Sequence, residues 1–194
     1  MAENPVLQIV IASTRPGRAG LPVSQWVEKQ AREHGAFDVE VVDLAEAGLP
    51  VLDEPHHPRL RKYEHAHTKA WSATVDRADA FVFVMPEYNH SFNGALKNAI
   101  DFLFFEWQHK PVGTVSYGGV GAGIRAVQAL KPVLAALSVP VMVEAVPIPF
   151  VHTMIEGEGD DRTFVPIPEI AAGVVPMLDA LARWVPAGRV LRGA

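Results

Sequence analysis

The sequence contains no cysteine, which excludes disulfides, thiolate nucleophiles and cysteine-ligated zinc or iron–sulfur centres. Any catalysis must use other groups or a cofactor. Basic charge is in short supply too: 17 Lys and Arg against 22 Asp and Glu give a formal net charge of −5, so a general nucleic-acid-binding surface is disfavoured. No apolar run reaches the roughly 20 residues that span a bilayer. The longest weakly polar region, Pro132 to Val143, is interrupted by Ser138 and Pro140. Residues 1–5 lack a basic n-region, and the apolar stretch Val6 to Ala12 is too short for a signal peptide, so the expectation is a cytoplasmic protein with no membrane passage. Repeats, charge blocks and Gly/Ser linkers are missing as well. What is present is a globular balance over 194 residues, 49% hydrophobic and 20% charged, which predicts a single domain over residues 1–194 with one core.

Short β-branched runs recur at Val6–Ile11, Phe37–Val42, Ala80–Met85, Val112–Ser116 and Val139–Val143. The first and third are almost continuously apolar, the mark of strands buried on both faces. Between them, Pro22–His34, Arg59–Ala78, Gly94–Phe105 and Ala122–Leu137 read as helices, with a last one from Pro168 to Trp184. This alternation predicts a parallel sheet covered on both faces, either flavodoxin-like in order 2-1-3-4-5 or a Rossmann-like half. In both, ligands bind beyond the carboxyl ends of the strands.

Three strand ends carry chemistry. After the first strand, Ala12 to Val23 combines Ser13, Thr14, Arg15, Arg18, Gly17 and Gly20 ahead of a helix, with Pro22 suited to its first position. The N–H groups and dipole of that helix, the hydroxyls and Arg15 or Arg18 could together hold a phosphate. A solvated Gly/Pro loop is the plainer reading. After the third strand, Pro86, Glu87, Tyr88, Asn89, His90 and Ser91 crowd a carboxylate, a phenol, an amide, an imidazole and a hydroxyl into one turn, a set able to edge a planar heterocycle. After the fourth, Ser116-Tyr117-Gly118-Gly119 opens a stretch with four glycines between Gly118 and Gly123. It permits close backbone approach to a flat ligand that Tyr117 could cover. The same stretch holds Gly121-x-Gly123-x-x-Ala126 with Glu144 about 20 residues on, which formally meets the dinucleotide fingerprint.

Ala-Ser-Thr-Arg after the first strand, Pro-Glu-Tyr-Asn-x-Ser-x-x-Gly-x-Leu-Lys-Asn-x-Ile-Asp from Pro86 to Asp101, and Ser-Tyr-Gly-Gly from Ser116 together resemble the NADPH-dependent FMN reductase family over most of residues 6–146. The resemblance implies an α/β flavodoxin-like three-layer sandwich, with a five-stranded parallel sheet in order 2-1-3-4-5 and helices on both faces. It implies bound FMN, NADPH or NADH as co-substrate, and ping-pong hydride transfer through flavin N5 to a flavin, quinone, azo compound or metal oxyanion. No catalytic side chain and no metal are then expected, and the partners are small molecules plus further copies of the chain in a dimer or tetramer. Carried over by position, Ser13, Arg15 and Arg18 fall in the phosphate loop and Val23 in the helical turn after it. Pro86, Glu87, Tyr88 and Asn89 follow the flavin ring edge, and Ser116, Tyr117, Gly118 and Gly119 its other side. The chain departs from the family pattern at Ala12, where Gly is frequent, in the long loop Pro16 to Leu21, and at Asn93, where a frequent Pro is replaced with effects expected at the helix start only. The competing readings are an electron carrier and a Rossmann-type NAD(P) enzyme using Gly121 to Ala126.

Among the eight histidines, His65 and His67 fall about 200° apart on a helix, so a solvated surface is expected rather than a metal site. Phe102, Phe104, Phe105 and Trp107 cannot all face inward, and a subunit interface is expected for the remainder. Trp26, Trp71 and Trp184 read as helix-packing residues. The Gly- and acid-rich segment Pro147 to Pro168 reads as mobile or interface-lining, lacking the ligand order of a calcium loop.

Overall fold

A computed structural model describes residues 4–193; residues 1–3, part of the N-terminal reading above, lie outside the described residues. The chain runs β1 (Val6–Ile11), α1 (Gly20–His34), β2 (Asp38–Asp43), α2 (Leu44–Ala47), α3 (Ala66–Asp76), β3 (Ala80–Tyr88), β4 (Ser91–Phe92), α4 (Gly94–Asp101), β5 (Val112–Tyr117), α5 (Ile124–Ala136), β6 (Val141–Ile148), β7 (Ile155–Glu156), β8 (Thr163–Phe164), α6 (Pro168–Ala171) and α7 (Val174–Arg192). Five parallel strands lie in the order β2-β1-β3-β5-β6, with β4 hooked antiparallel onto the end of β3. Counting the parallel strands alone, this is the expected 2-1-3-4-5 order of a three-layer flavodoxin-like sandwich.

The period of two along each inner strand divides the interior. Leu7, Ile9, Val82, Val84 and Val115 face α1 and α7, whereas Val10, Phe81, Phe83, Met85 and Val112 face α4, α5 and Trp71 of α3. On the first side α7 covers the sheet with Val174, Met177, Leu178, Leu181 and Val185. The stretch Pro168–Arg192 is long and apolar enough to cross a membrane by length and composition, yet in this fold its apolar stripe is the lid of a core. Trp184 departs from its packing expectation and is 48% exposed, because its turn of α7 presents Leu181 and Val185 inward instead.

Several boundaries move for identifiable reasons. The expected helix Arg59–Ala78 begins only at Ala66, because the Glu54 carboxylate accepts the backbone N–H of Glu64 at 2.8 Å and of His65 at 3.0 Å. Burial opposes ionisation of that carboxyl, but these bonds together with Thr68 and His65 outweigh it and hold its pKa at about 2. The irregular stretch before α3 is pinned by Asn98, which donates to the Pro50 carbonyl at 2.6 Å and accepts from Leu52 N–H at 2.9 Å. α4 stops at Asp101 rather than Phe105. The last strand runs to Ile148 rather than Val143, and the last helix divides into α6 and α7 and continues to Arg192.

Lys110 is buried before β5, and its ammonium donates to the last carbonyls of α3, Val75 and Asp76, each at 2.9 Å. This closes a helix end that would otherwise leave buried acceptors unmet. Burial pushes its pKa down from 10.5 to about 8, against the pull of Asp76. Between those two values the unfolded chain binds more protons than the folded one, so this group makes stability rise with pH across that window. Below about pH 8 the cost of burying the charge is present in full. Urea unfolding should therefore show the stability difference between wild type and Lys110→Met shifting in favour of wild type by on the order of 2 kcal/mol from pH 7 to pH 10. A pH-independent difference would show that Lys110 titrates normally.

Candidate active site

The carboxyl ends of β1, β3, β5 and β6 open into one cleft of about 400 Å³, lined by Ser13, Arg15, Gly17, Arg18, Ala19, Pro86, Glu87, Tyr88, Tyr117, Gly118, Gly119 and the segment Phe150 to Thr153. It lies where the strand order reverses direction around β1 and β3, the place this topology reserves for ligands. Its volume falls within the range of roughly 300–1,000 Å³ typical of small-molecule sites.

In the first loop, Gly17 takes φ +67° and the chain enters α1 at Gly20, so Pro22 stands third in the helix rather than first. Its missing N–H is still harmless in the first turn. Ser13 is buried, with its hydroxyl 3.2 Å from that of Tyr88. Arg18, expected to balance a ligand's charge, lines the cleft but already has partners in the protein. Its guanidinium donates to the Ser13 carbonyl at 2.6 Å and grips the Asp43 carboxylate at the end of β2 with both terminal nitrogens. That leaves Arg15, exposed and without an ion pair among the described residues, as the free cation of the loop. Thr14 faces a separate hollow beside α2, and Val23 is fully buried in the α1 side of the core, away from the cleft.

At the end of β3, Pro86, Glu87 and Tyr88 line the cleft. Asn89 does not: it and His90, with φ of +48° and +67°, form the two-residue turn joining Tyr88 to Ser91, the primed geometry that suits a tight hairpin. Glu87 is locked to Arg125 of α5, accepting from its Nε at 2.5 Å and its backbone N–H at 3.2 Å. Desolvation works to raise the Glu87 pKa, but the Arg125 bonds and charge prevail and hold it below the usual carboxylate range. Asn93 does more than start α4. Its buried amide donates to the Ala12 carbonyl at 2.6 Å, tying this loop to the first.

At the end of β5, Gly118 and Gly119 present backbone to the cleft, while Ser116 lies beneath them and donates to the Ala122 carbonyl at 2.9 Å. Tyr117 touches the cleft but is buried in the core instead of stacking over it. Burial drives its phenol pKa well above the ordinary value. Its hydroxyl has no hydrogen-bond partner among the described residues and abuts Gly20 in the first turn of α1. The dinucleotide fingerprint finds no footing: Gly121 and Gly123 lie outside the cleft lining, and Glu144 faces Arg183 at 3.9 Å.

The wall from Phe150 to Thr153 was missed by the sequence reading. β6 pairs Thr114 with Ala145 and Tyr117 with Ile148, so it extends as far as β5 does and delivers the next residues to the same edge. Matching strand lengths across the sheet would have exposed them. Elsewhere, His65 precedes α3 in extended conformation, so it escapes the helical spacing and its ring stacks on that of His67, 5.2 Å between centroids. Phe102 and Trp107 are buried, while Phe104 and Phe105 are covered in part by the guanidinium groups of Arg59 and Arg61, 4.4 and 4.8 Å from the ring centroids. Lys97 and Asp101 pair along α4 at 2.5 Å. Pro147 to Pro168 carries the β7–β8 hairpin, whose Phe164 packs on Trp26, and Arg162 donates to the Gly17 carbonyl at 2.9 Å.

Fold and cleft define a flavodoxin-like protein with a site at the carboxyl edge of its sheet. The chain belongs to the NADPH-dependent FMN reductase family, whose model matches residues 6–153. It is 40% identical over 122 residues to an NAD(P)H-dependent FMN reductase of Schizosaccharomyces pombe, covering 62% of this chain and 61% of that one. It is 33% identical over 112 residues to an FMN-dependent NADPH-azoreductase of Staphylococcus saprophyticus, covering 57% and 59%. The match thus spans about three-fifths of each of these relatives. Among solved structures, FerB, a flavoenzyme NAD(P)H:(acceptor) oxidoreductase from Paracoccus denitrificans, shares the fold with a TM-score of 0.73 at 21% identity over 95% of this chain and 98% of that one.

The donors present fit FMN, the family's cofactor. The unpaired Arg15, the orphaned Tyr117 hydroxyl beside Gly20, and the start of α1 provide for a phosphate at one end. Side-chain-free backbone at Gly118 and Gly119 leaves room for a flat ring at the other.

Proposed function

We propose that this chain holds FMN in the cleft and passes reducing equivalents from NADPH or NADH to a small-molecule acceptor, such as a free flavin, a quinone, an azo compound or a metal oxyanion. The observation that carries the reading is the convergence of four chain segments on one cleft with a free cation at one end and bare glycine backbone at the other. Arg15, Ser13, the Tyr117 hydroxyl and the first turn of α1 would hold the phosphate, while Pro86 to Tyr88 and Gly118–Gly119 would flank the ring. Bound FMN supplies hydride acceptance and delivery at N5. The chain contributes orientation and a fixed field, with Glu87 of the cleft lining tied to Arg125. One mouth serves donor and acceptor in turn, which supports a ping-pong order. Assembly as a dimer or tetramer and a cytoplasmic location complete the proposal.

The purified protein reconstituted with FMN is expected to be yellow and to bleach when NADPH or NADH is added under nitrogen. Tight FMN binding without bleaching by either donor would reduce the protein to an electron carrier. Failure to bind FMN would overturn the reading as a whole.

A further inference from the structure

Phe150 stands out in three independent ways. It lines the cleft, yet the residue is 55% exposed, an unusual position for a large apolar side chain unless something covers it. Its backbone takes φ +46°, a left-handed conformation that bulky non-glycine residues rarely adopt. And that conformation is held from both sides: Phe150 N–H donates to the Gly119 carbonyl at 3.1 Å, Val151 N–H to the Gly118 carbonyl at 3.3 Å, and the Thr153 N–H and hydroxyl to the Phe150 carbonyl, both at 2.9 Å. A strained residue persists only where its surroundings over-determine it, and such residues gather at functional sites. Here the glycine pair that bounds the cleft is also what fixes the Phe150 backbone, so the ring is displayed at the mouth from a rigid mount.

Tyr88 is the other half-exposed aromatic of the cleft, but its hydroxyl is engaged with Ser13. Phe150 has no polar handle, and its face is free for an aromatic partner, for which offset stacking adds attraction beyond area burial. We infer that Phe150 is the acceptor-positioning residue of the cleft, a stacking surface that selects planar conjugated acceptors of the quinone and azo class over compact inorganic ones. This rests on the function proposed above and narrows its list of acceptors.

The test uses the full chain loaded with FMN, as wild type, Phe150→Ala and Phe150→Trp. FMN affinity is read first by quenching of flavin fluorescence, and the three proteins are then compared at saturating FMN, so that any change in cofactor binding is separated from acceptor turnover. With 1,4-naphthoquinone, kcat/KM should fall about tenfold or more in the Ala variant and largely recover in the Trp variant. With ferricyanide the loss should be several-fold smaller than with the naphthoquinone. Independently of turnover, titration of the oxidised protein with redox-inert naphthalene-2-sulfonate should show a dissociation constant about tenfold weaker for the Ala variant. Equal losses with naphthoquinone and ferricyanide, or unchanged naphthalene-2-sulfonate binding, would overturn the inference. A wild-type protein that fails to take up FMN overturns the underlying function instead, and that failure is visible in the first titration.

Discussion

Replacing Asp43 by alanine should lower the unfolding free energy by about 3 kcal/mol and weaken FMN binding about tenfold, while Arg15→Ala should leave stability within about 0.5 kcal/mol and weaken FMN to a similar degree. The two arginines of the first loop have different tasks. Arg18 is mostly buried and bidentate to Asp43, whose carboxylate also accepts the Ala45 N–H at 2.9 Å and so caps α2. Removing that carboxylate strands a buried guanidinium with only the Ser13 carbonyl for company, the situation in which breaking an ion pair costs most. The loop then loosens, and its ligand suffers indirectly. Arg15 has nothing to lose in the apoprotein and meets only the ligand. Charge-assisted bonds to a phosphate are strong, and riboflavin lacks the phosphate. Paired titrations with FMN and riboflavin, alongside urea melts, separate the roles: Arg15→Ala should erase the preference for FMN over riboflavin, and Asp43→Ala should weaken both. If Arg18→Ala instead left stability intact and abolished the FMN preference, the assignment of the two residues would be reversed.

Gly123→Ala should be the most damaging small substitution near the cleft, costing on the order of 3 kcal/mol or more. Gly123 takes φ +77°, and a Cβ there would stand 2.7 Å from both the Tyr117 nitrogen and the Ser116 Cβ. Neither neighbour is the yielding tip of a long side chain; both belong to the end of β5. Relief requires moving the turn that carries Gly118 and Gly119, and FMN affinity should fall with stability. Gly119→Ala is the control for stability alone, because a Cβ at Gly119 meets nothing within 4 Å among the described residues, although it would project where the ring is proposed to lie. Thermal melting of both variants decides the matter: similar melting of the two would mean that the turn is pliable and its close packing unimportant.

The strand order was legible because β1 and β3 are buried on both faces, so their apolar runs are continuous, and because each strand is followed by a helix that must cross over it. The three chemically dense loops were legible for a related reason: strand ends in a parallel sheet share an edge, and residues such as Ser13, Glu87 and Gly118 had to arrive together. What stayed hidden depends on partners distant in sequence. Nothing near Arg18 announces that Asp43, 25 residues away, will neutralise it, and nothing near Ala66 announces that Glu54 will fix the start of α3. Tyr117 looked free to stack because its neighbours are glycines, but alternation along β5 sends it into the core. Phe150 was lost because the expected strand stops at Val143, just before Glu144, although Val141–Ile148 runs the full height of the sheet.

The clasp between Glu87 and Arg125 joins the end of β3 to the start of α5 across the cleft rim. Both groups belong to the protein, so the distance between these walls is set during folding and not by an arriving guest. A pocket held open by its own buttress neither collapses when vacant nor has to be pried apart, and association then forfeits little chain freedom. On the proposed function, an incoming flavin would meet walls already spaced by the fold.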